Sequence, residues 1–196
     1  MQPAEERNQE ALPVGALGII ALDSCRELGE KINRYIVKWR TDRQHAHQES
    51  PQLMEYARDN YLLKTSVPRF GTGEAKGVIY DSVRGDDLYI LVDVCNYSIT
   101  YTMNGIVNRM SPDDHFNDLK RIIAAIGGKA RRISVIMPFL YESRQHKRSQ
   151  RESLDCAIAL QELVNMGVEN IITFDAHDPR VQNSIPLHGF ETIQPV

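Results

Sequence analysis

Apolar residues recur along this chain in two rhythms, and the rhythms alternate. Short, largely apolar runs stand at residues 17–22 (LGIIAL), 87–94 (DLYILVDV), 133–137 (ISVIM) and 170–174 (NIITF), the length and β-branched content of buried strands. Between them lie stretches at helical spacing. In 25–39 the apolar positions are Leu28, Ile32, Tyr35, Ile36 and Trp39; in 113–126 they are Phe116, Leu119, Ile122, Ile123 and Ile126; a third stretch runs over 154–166. The punctuation agrees: Ser24 is placed to N-cap the first helix, Pro112 and Asp113 open the second, Gly127 and Gly128 close it, residues 149–152 (SQRE) have the form of a capping box, and Gly167 follows the third.

Strand then helix then strand, repeated through the second half, predicts an α/β fold: a mostly parallel twisted sheet flanked by helices. Three segments fall outside the rhythm. Residues 1–15, with Pro3 and Pro13, read as a flexible N-terminal arm, residues 40–68 as a polar insertion, and the stretch after residue 94 as a loop rich in Tyr, Asn, Ser and Thr. Residues 16–196 are then a single domain.

Composition changes this picture little. The 196 residues are 42% hydrophobic and 25% charged, with a net charge of -3. That supports one real core and removes the bulk attraction to phosphate backbone that a nucleic-acid partner needs. The sequence has no secretory segment and no long apolar span, so membrane association is not expected. Cys25, Cys95 and Cys156 are widely spaced and form no CxxC, which reads as a reducing cytoplasm, with Cys156 a small buried side chain.

In parallel sheets, ligands collect beyond the carboxyl ends of the strands. Two polar stretches lie there. Arg144, Gln145, His146, Lys147 and Arg148 follow one strand and lead into a helix, a place suited to phosphate oxygens. On the residues alone, a solvated basic loop remains equally open. Asp175 and His177 follow the next strand, where a carboxylate and an imidazole can meet a phosphate-bound divalent ion; an Asp-Pro turn is the plainer alternative. His45 and His47 lack carboxylate company and read as surface residues. The Gly71-Thr72-Gly73 stretch has no Walker pattern and leads into a strand.

Together, SCRELGEKI, FGTGE followed by DSVRGDDLYIL, DDHFNDLKRIIAAI, ISVIMPFLYESRQHKR and TFDAHDPRVQ resemble, in order, the N-terminal half of ribose-phosphate diphosphokinase, also called phosphoribosyl pyrophosphate synthetase. The insertion and residues 95–111 lie outside the pattern. The resemblance implies a phosphoribosyltransferase-like three-layer domain. It also implies transfer of the diphosphoryl group of Mg-ATP to the 1-hydroxyl of ribose 5-phosphate, with magnesium required.

By the same resemblance Phe70 stacks on adenine across a subunit interface, with Glu74 at the family's Glu position. Thr72 replaces an acidic residue. Arg144, Gln145, His146, Lys147 and Arg148 occupy the nucleotide loop, where His146 departs from the pattern. His177, with Asp175, is the expected metal site, and Ser82 and Arg84 match an effector phosphate site. A homo-oligomer built from dimers, ring-like up to a hexamer, is implied.

Nothing in the sequence matches the family's ribose 5-phosphate loop or its mobile lysine/arginine loop. No catalytic residue is therefore assigned, the second domain is read as absent, and the chain alone is expected to be inactive. The alternative is a catalytically silent relative with a regulatory or assembly role. An α/β domain of unrelated phosphate chemistry leaves the ordered matches unexplained.

Overall fold

Strand β1 (Leu17–Ala21) pairs in parallel with β4 (Asp87–Leu91), β4 with β7 (Arg132–Met137), β7 with β8 (Asn170–Phe174) and β8 with β9 (Gly189–Ile193), which gives a five-stranded parallel sheet. The computed structural model describes residues 14–46, 58–145 and 147–194. The predicted arm therefore lies almost wholly outside the described residues, as do the middle of the predicted insertion and His146.

Alternation along the strands sends side chains to two layers. Ile20, Leu88, Ile90, Val135, Met137 and Ile171 face one side and bury against Phe116, Leu119, Ile122 and Ile126 of α2 (Pro112–Ile126) and Leu160 and Leu163 of α3 (Asp155–Asn165). Ile19 and Leu91 face the other side and meet Ile32 and Ile36 of α1 (Arg26–Ala46). Helices thus lie on both faces, as the alternating rhythm predicts.

Several local expectations are corrected. Helix α1 runs past Trp39 to Ala46, and only part of its predicted stripe is covered: Tyr35 and Trp39 are 76% and 69% exposed. The reason is position. α1 is the one described helix on this face and lies toward the β1 edge, where residues 61–63 bond to Ile19 and extend the sheet; Leu91 and Ile136 cover Ile32 and Ile36 but do not reach Tyr35 and Trp39. Ser24 does not cap α1; its Oγ accepts from the Asp93 amide at 3.0 Å, tying the end of β1 to the end of β4. The capping box over 149–152 is half made. The Ser149 amide donates to Glu152, but α3 begins only at Asp155, after a Leu154 that makes no side-chain cap.

Two small sheets stand apart from the large one. β2 (Thr65–Ser66) pairs antiparallel with β3 (Val78–Ile79). The expected loop after residue 94 is instead a hairpin of β5 (Thr100–Met103) and β6 (Ile106–Arg109), turned by Asn104 and Gly105 with φ of 50° and 80°. Both turn residues occupy the left-handed region that a two-residue hairpin turn of this kind requires.

Candidate nucleotide site at the carboxyl ends of β7 and β8

Neighbouring parallel strands open their following loops side by side, and here the loops after β7 and β8 enclose a cleft of about 320 Å³. Phe139, Leu140, Ser143 and Arg144 line it from one loop, and Phe174, Asp175, Ala176 and His177 from the other. The Phe174 amide donates to Pro138 O at 3.3 Å and joins the two loops at their base.

Both loops contain a non-glycine residue in the left-handed region, Glu142 (φ 55°) and Asp175 (φ 48°). Such conformations are costly and persist where surrounding bonds over-determine them. At Asp175 those bonds are visible: its amide donates to Ile193 O and the next amide, of Ala176, donates to Thr192 Oγ1, each at 3.0 Å. The turn is thereby fastened to β9. Asp178 then caps the short turn Pro179–Ser184 by accepting from the Arg180 amide at 2.9 Å, and its carboxylate also receives the Arg180 guanidinium. The plainer capping role belongs to Asp178, which leaves Asp175 and His177 at the cleft.

Helix α2 braces the other loop. Tyr141 stacks on Phe116 with ring centroids 4.3 Å apart and donates its hydroxyl to Asp113 at 2.7 Å. Burial, then that bond, pushes the Tyr141 hydroxyl well above the usual tyrosine range. Glu142 is also pushed up, first by burial and then by Asp155 and Asp113.

The structure sorts the sequence-predicted residues into three places. Arg144, Asp175 and His177 share the cleft. Gln145, Lys147 and Arg148 are exposed beside it and do not line it; Lys147 instead borders a hollow on the flank of α3 with Gln161 and Arg180. Phe70 and Glu74 sit on a separate tight loop, closed by the Phe70 amide donating to Glu74 O at 2.7 Å, and take no part in this cleft within one chain. Thr72 Oγ1 donates to Glu74 Oε2 at 3.0 Å. Ser82 and Arg84 stand exposed just before β4, at its amino end, whereas the cleft lies at the carboxyl ends of the parallel strands.

Glu142 and Tyr141 escaped sequence reasoning because their neighbours come from elsewhere in the chain: Phe116 and Asp113 of α2 beside Tyr141, and Asp155 of α3 with Asp113 near Glu142. Cys25, Cys95 and Cys156 are all free thiols. Cys156 is buried, as expected, with its pKa raised to about 11 chiefly by burial.

A family model, the N-terminal domain of ribose phosphate pyrophosphokinase, matches residues 17–167. The chain belongs to this family. Among curated relatives, ribose-phosphate pyrophosphokinase B of Dictyostelium discoideum is 28% identical over 130 residues, covering 64% of this chain and 36% of the relative. Ribose-phosphate pyrophosphokinase 1 of Schizosaccharomyces pombe is 34% identical over 119 residues, 60% of this chain and 26% of that one. A putative ribose-phosphate pyrophosphokinase 2 of Streptococcus pneumoniae is 29% identical over 153 residues, 76% and 44%. The chain thus spans less than half the length of these relatives.

The crystal structure of phosphoribosylpyrophosphate synthetase from Mycobacterium smegmatis shares the fold, with a TM-score of 0.64 at 20% identity over 91% of this chain and 48% of that one. The family match ends at Gly167, before β8. The turn carrying Asp175 and His177 therefore rests on the structure.

Proposed function

We propose that this chain supplies the ATP-holding part of a ribose-phosphate diphosphokinase. The observation that carries the reading is the meeting of Arg144, Asp175 and His177 in one cleft at the carboxyl ends of adjacent parallel strands, where such folds take ligands.

The donor set suits magnesium. Among the described residues, no three His, Cys, Asp or Glu side chains gather into a metal nest. Asp175 and His177 alone fit an ion that keeps most of its shell as water and phosphate oxygens. Such an ion supplies charge neutralisation along the triphosphate. Arg144 adds charge-assisted hydrogen bonds to phosphate oxygens, and Gln145, Lys147 and Arg148 beside it offer further donors; His146, outside the described residues, is proposed to serve the nucleotide with them. The apolar walls, Phe139, Leu140 and Phe174, exclude water from one side of the nucleotide.

In the proposed transfer, the 1-hydroxyl oxygen of ribose 5-phosphate forms a bond to the β-phosphorus. The bond from that phosphorus to the oxygen bridging the α-phosphate breaks, AMP leaves with the electron pair, and the hydroxyl proton passes to solvent or base. Catalysis of this kind is chiefly positioning and charge stabilisation. The ribose 5-phosphate side of the site is proposed to lie on a second domain outside this chain. Phe70 and Glu74 are proposed to serve the adenine held by a neighbouring copy, which makes the working form a homo-oligomer of dimers. Ser82 and Arg84 are proposed as an effector phosphate site. We place the protein in the cytoplasm, a reading supported by its free thiols.

The bond from Thr72 to Glu74 favours a second reading, a catalytically silent relative that assembles with active subunits. The deciding experiment measures ATP binding with and without magnesium, then AMP formation from ATP and ribose 5-phosphate, comparing this chain with the product of its complete reading frame. Magnesium-dependent binding by the chain with turnover only by the longer product is expected. Binding with no turnover in either selects the silent relative, and no binding at all overturns the ATP reading.

A further inference from the structure

The β5–β6 hairpin lies in residues 95–111, a stretch that carries none of the motifs on which the resemblance rests, yet it is built into the molecule at both ends. At its base, the Asn96 side-chain amide donates to Ser24 O at 2.9 Å, His115 Nε2 meets Asn96 O at 2.9 Å, and the Met110 amide donates to Ile99 O. These bonds root it on the ends of β1 and β4 and on α2.

At its tip the hairpin meets the Phe70 loop. The Asn104 amide donates to Gly71 O at 2.9 Å. Met103 fills the space over Gly73, with Sδ 2.8 Å from where a Cβ would stand. The Arg69 guanidinium lies 4.5 Å from the centre of the Tyr101 ring while holding Asp118 at 2.9 Å and Gly73 O at 3.3 Å. Cation and ring attract, and the half-buried ion pair gives Arg69 little freedom to leave.

We infer that the β5–β6 hairpin is a latch that sets the position of the loop from Phe70 to Glu74, with Tyr101 and Met103 as its positioning residues. The loop's own bonds tie it only to itself and its two stems: the Phe70 amide to Glu74 O, the Gly73 amide to Phe70 O, Thr72 Oγ1 to Glu74 Oε2, Arg69 to Gly73 O, the Lys76 amide to Pro68 O, and a bridge between Arg69 and Ala75. A seven-residue excursion with a half-exposed phenyl ring at its end would sample many poses from those bonds alone, and the latch removes most of them. Its functional consequence rests on the reading of Phe70 as an adenine contact: a ring held in one pose binds a base without the entropic cost of ordering first.

The test is hydrogen–deuterium exchange on the full 196-residue chain. A double substitution, Tyr101→Ala with Met103→Ala, is expected to speed exchange of the Phe70 and Gly73 amides about tenfold and leave the α2 amides unchanged. The pair Tyr101→Phe with Met103→Leu keeps the ring and the bulk and should restore protection. Ile106 and Val107 are 66% and 68% exposed, so changing both to alanine serves as the control.

Unchanged exchange in the first variant overturns the latch, as does equal loss in the control. ATP titration separates the two readings. If loop protection falls but magnesium-dependent ATP affinity holds in both the latch variant and Phe70→Ala, the latch stands and the adenine role of Phe70 is wrong.

Discussion

Arg144 is exposed at the lip of a cleft whose opposite wall carries Asp175 and His177. A charge-assisted hydrogen bond to phosphate contributes about 1.5–3 kcal/mol, so Arg144→Ala should weaken Mg-ATP binding by about 10- to 100-fold in calorimetric titration. His177→Ala is expected to abolish most of the magnesium dependence while leaving metal-free ATP affinity nearly as it was; equal loss in both titrations would mark a structural histidine.

Glu142 offers a pH signature. Its pKa in the folded chain is raised by burial, Asp155 and Asp113, so the folded state holds this proton where the unfolded chain has released it. Its contribution is fully present below the ordinary carboxylate value of about 4 and is lost as pH rises through the raised folded value. Glu142→Gln should therefore match the wild-type melting temperature in acid and exceed it near neutrality. That Arg144, Asp175 and His177 would lie in loops at the carboxyl ends of neighbouring strands was legible in the sequence, because the strands before them are readable. The acidic surroundings of Glu142 were not, because Asp113 and Asp155 come to it from two other elements.

Among elements, α2 shows most plainly what sequence can say. Its Pro, its apolar stripe and its closing Gly127 all lie within one local stretch, and the helix begins and ends as they indicate. Ser111 completes it, accepting from the Asp114 amide while Asp114 accepts from the Ser111 amide. Ser111→Ala should lower stability by about 0.5–2 kcal/mol in a urea melt, with little change in slope.

Helix α1 is the contrasting case. Its periodicity marks an apolar face, but how much of that face is covered depends on which strand lies at the sheet edge, a non-local fact. The hairpin was different again. The Asn104-Gly105 pair flanked by Tyr101, Met103 and Val107 is a strong local turn signal, obscured by the surrounding polar composition.

For the whole molecule, the parallel sheet separates two proposed functions by its own length. The cleft lies beyond the carboxyl ends of β7 and β8, and Ser82 with Arg84 precedes β4, at its amino end. Arg84→Ala should leave the affinity of the isolated chain for Mg-ATP within about twofold, a change of well under 1 kcal/mol. Any response to inorganic phosphate should fall in the same variant, and a large loss of ATP affinity would place the two residues in one site. The parallel order of the sheet was readable from repeated strand-helix-strand units, whereas the distance between loops distributed along the chain emerges only once the strands are aligned.

β9 is the outermost strand of the sheet, and it holds the Asp175 turn by two bonds, from Ile193 O and Thr192 Oγ1. The strand that closes this side of the sheet, paired with β8 from Gly189 to Ile193, is thus also the anchor of one wall of the cleft. Whatever displaces residues 192 and 193, a partner's grip or a neighbouring segment shifting in its seat, displaces both bonds that fasten the Asp175 turn, and with them one wall of the cleft.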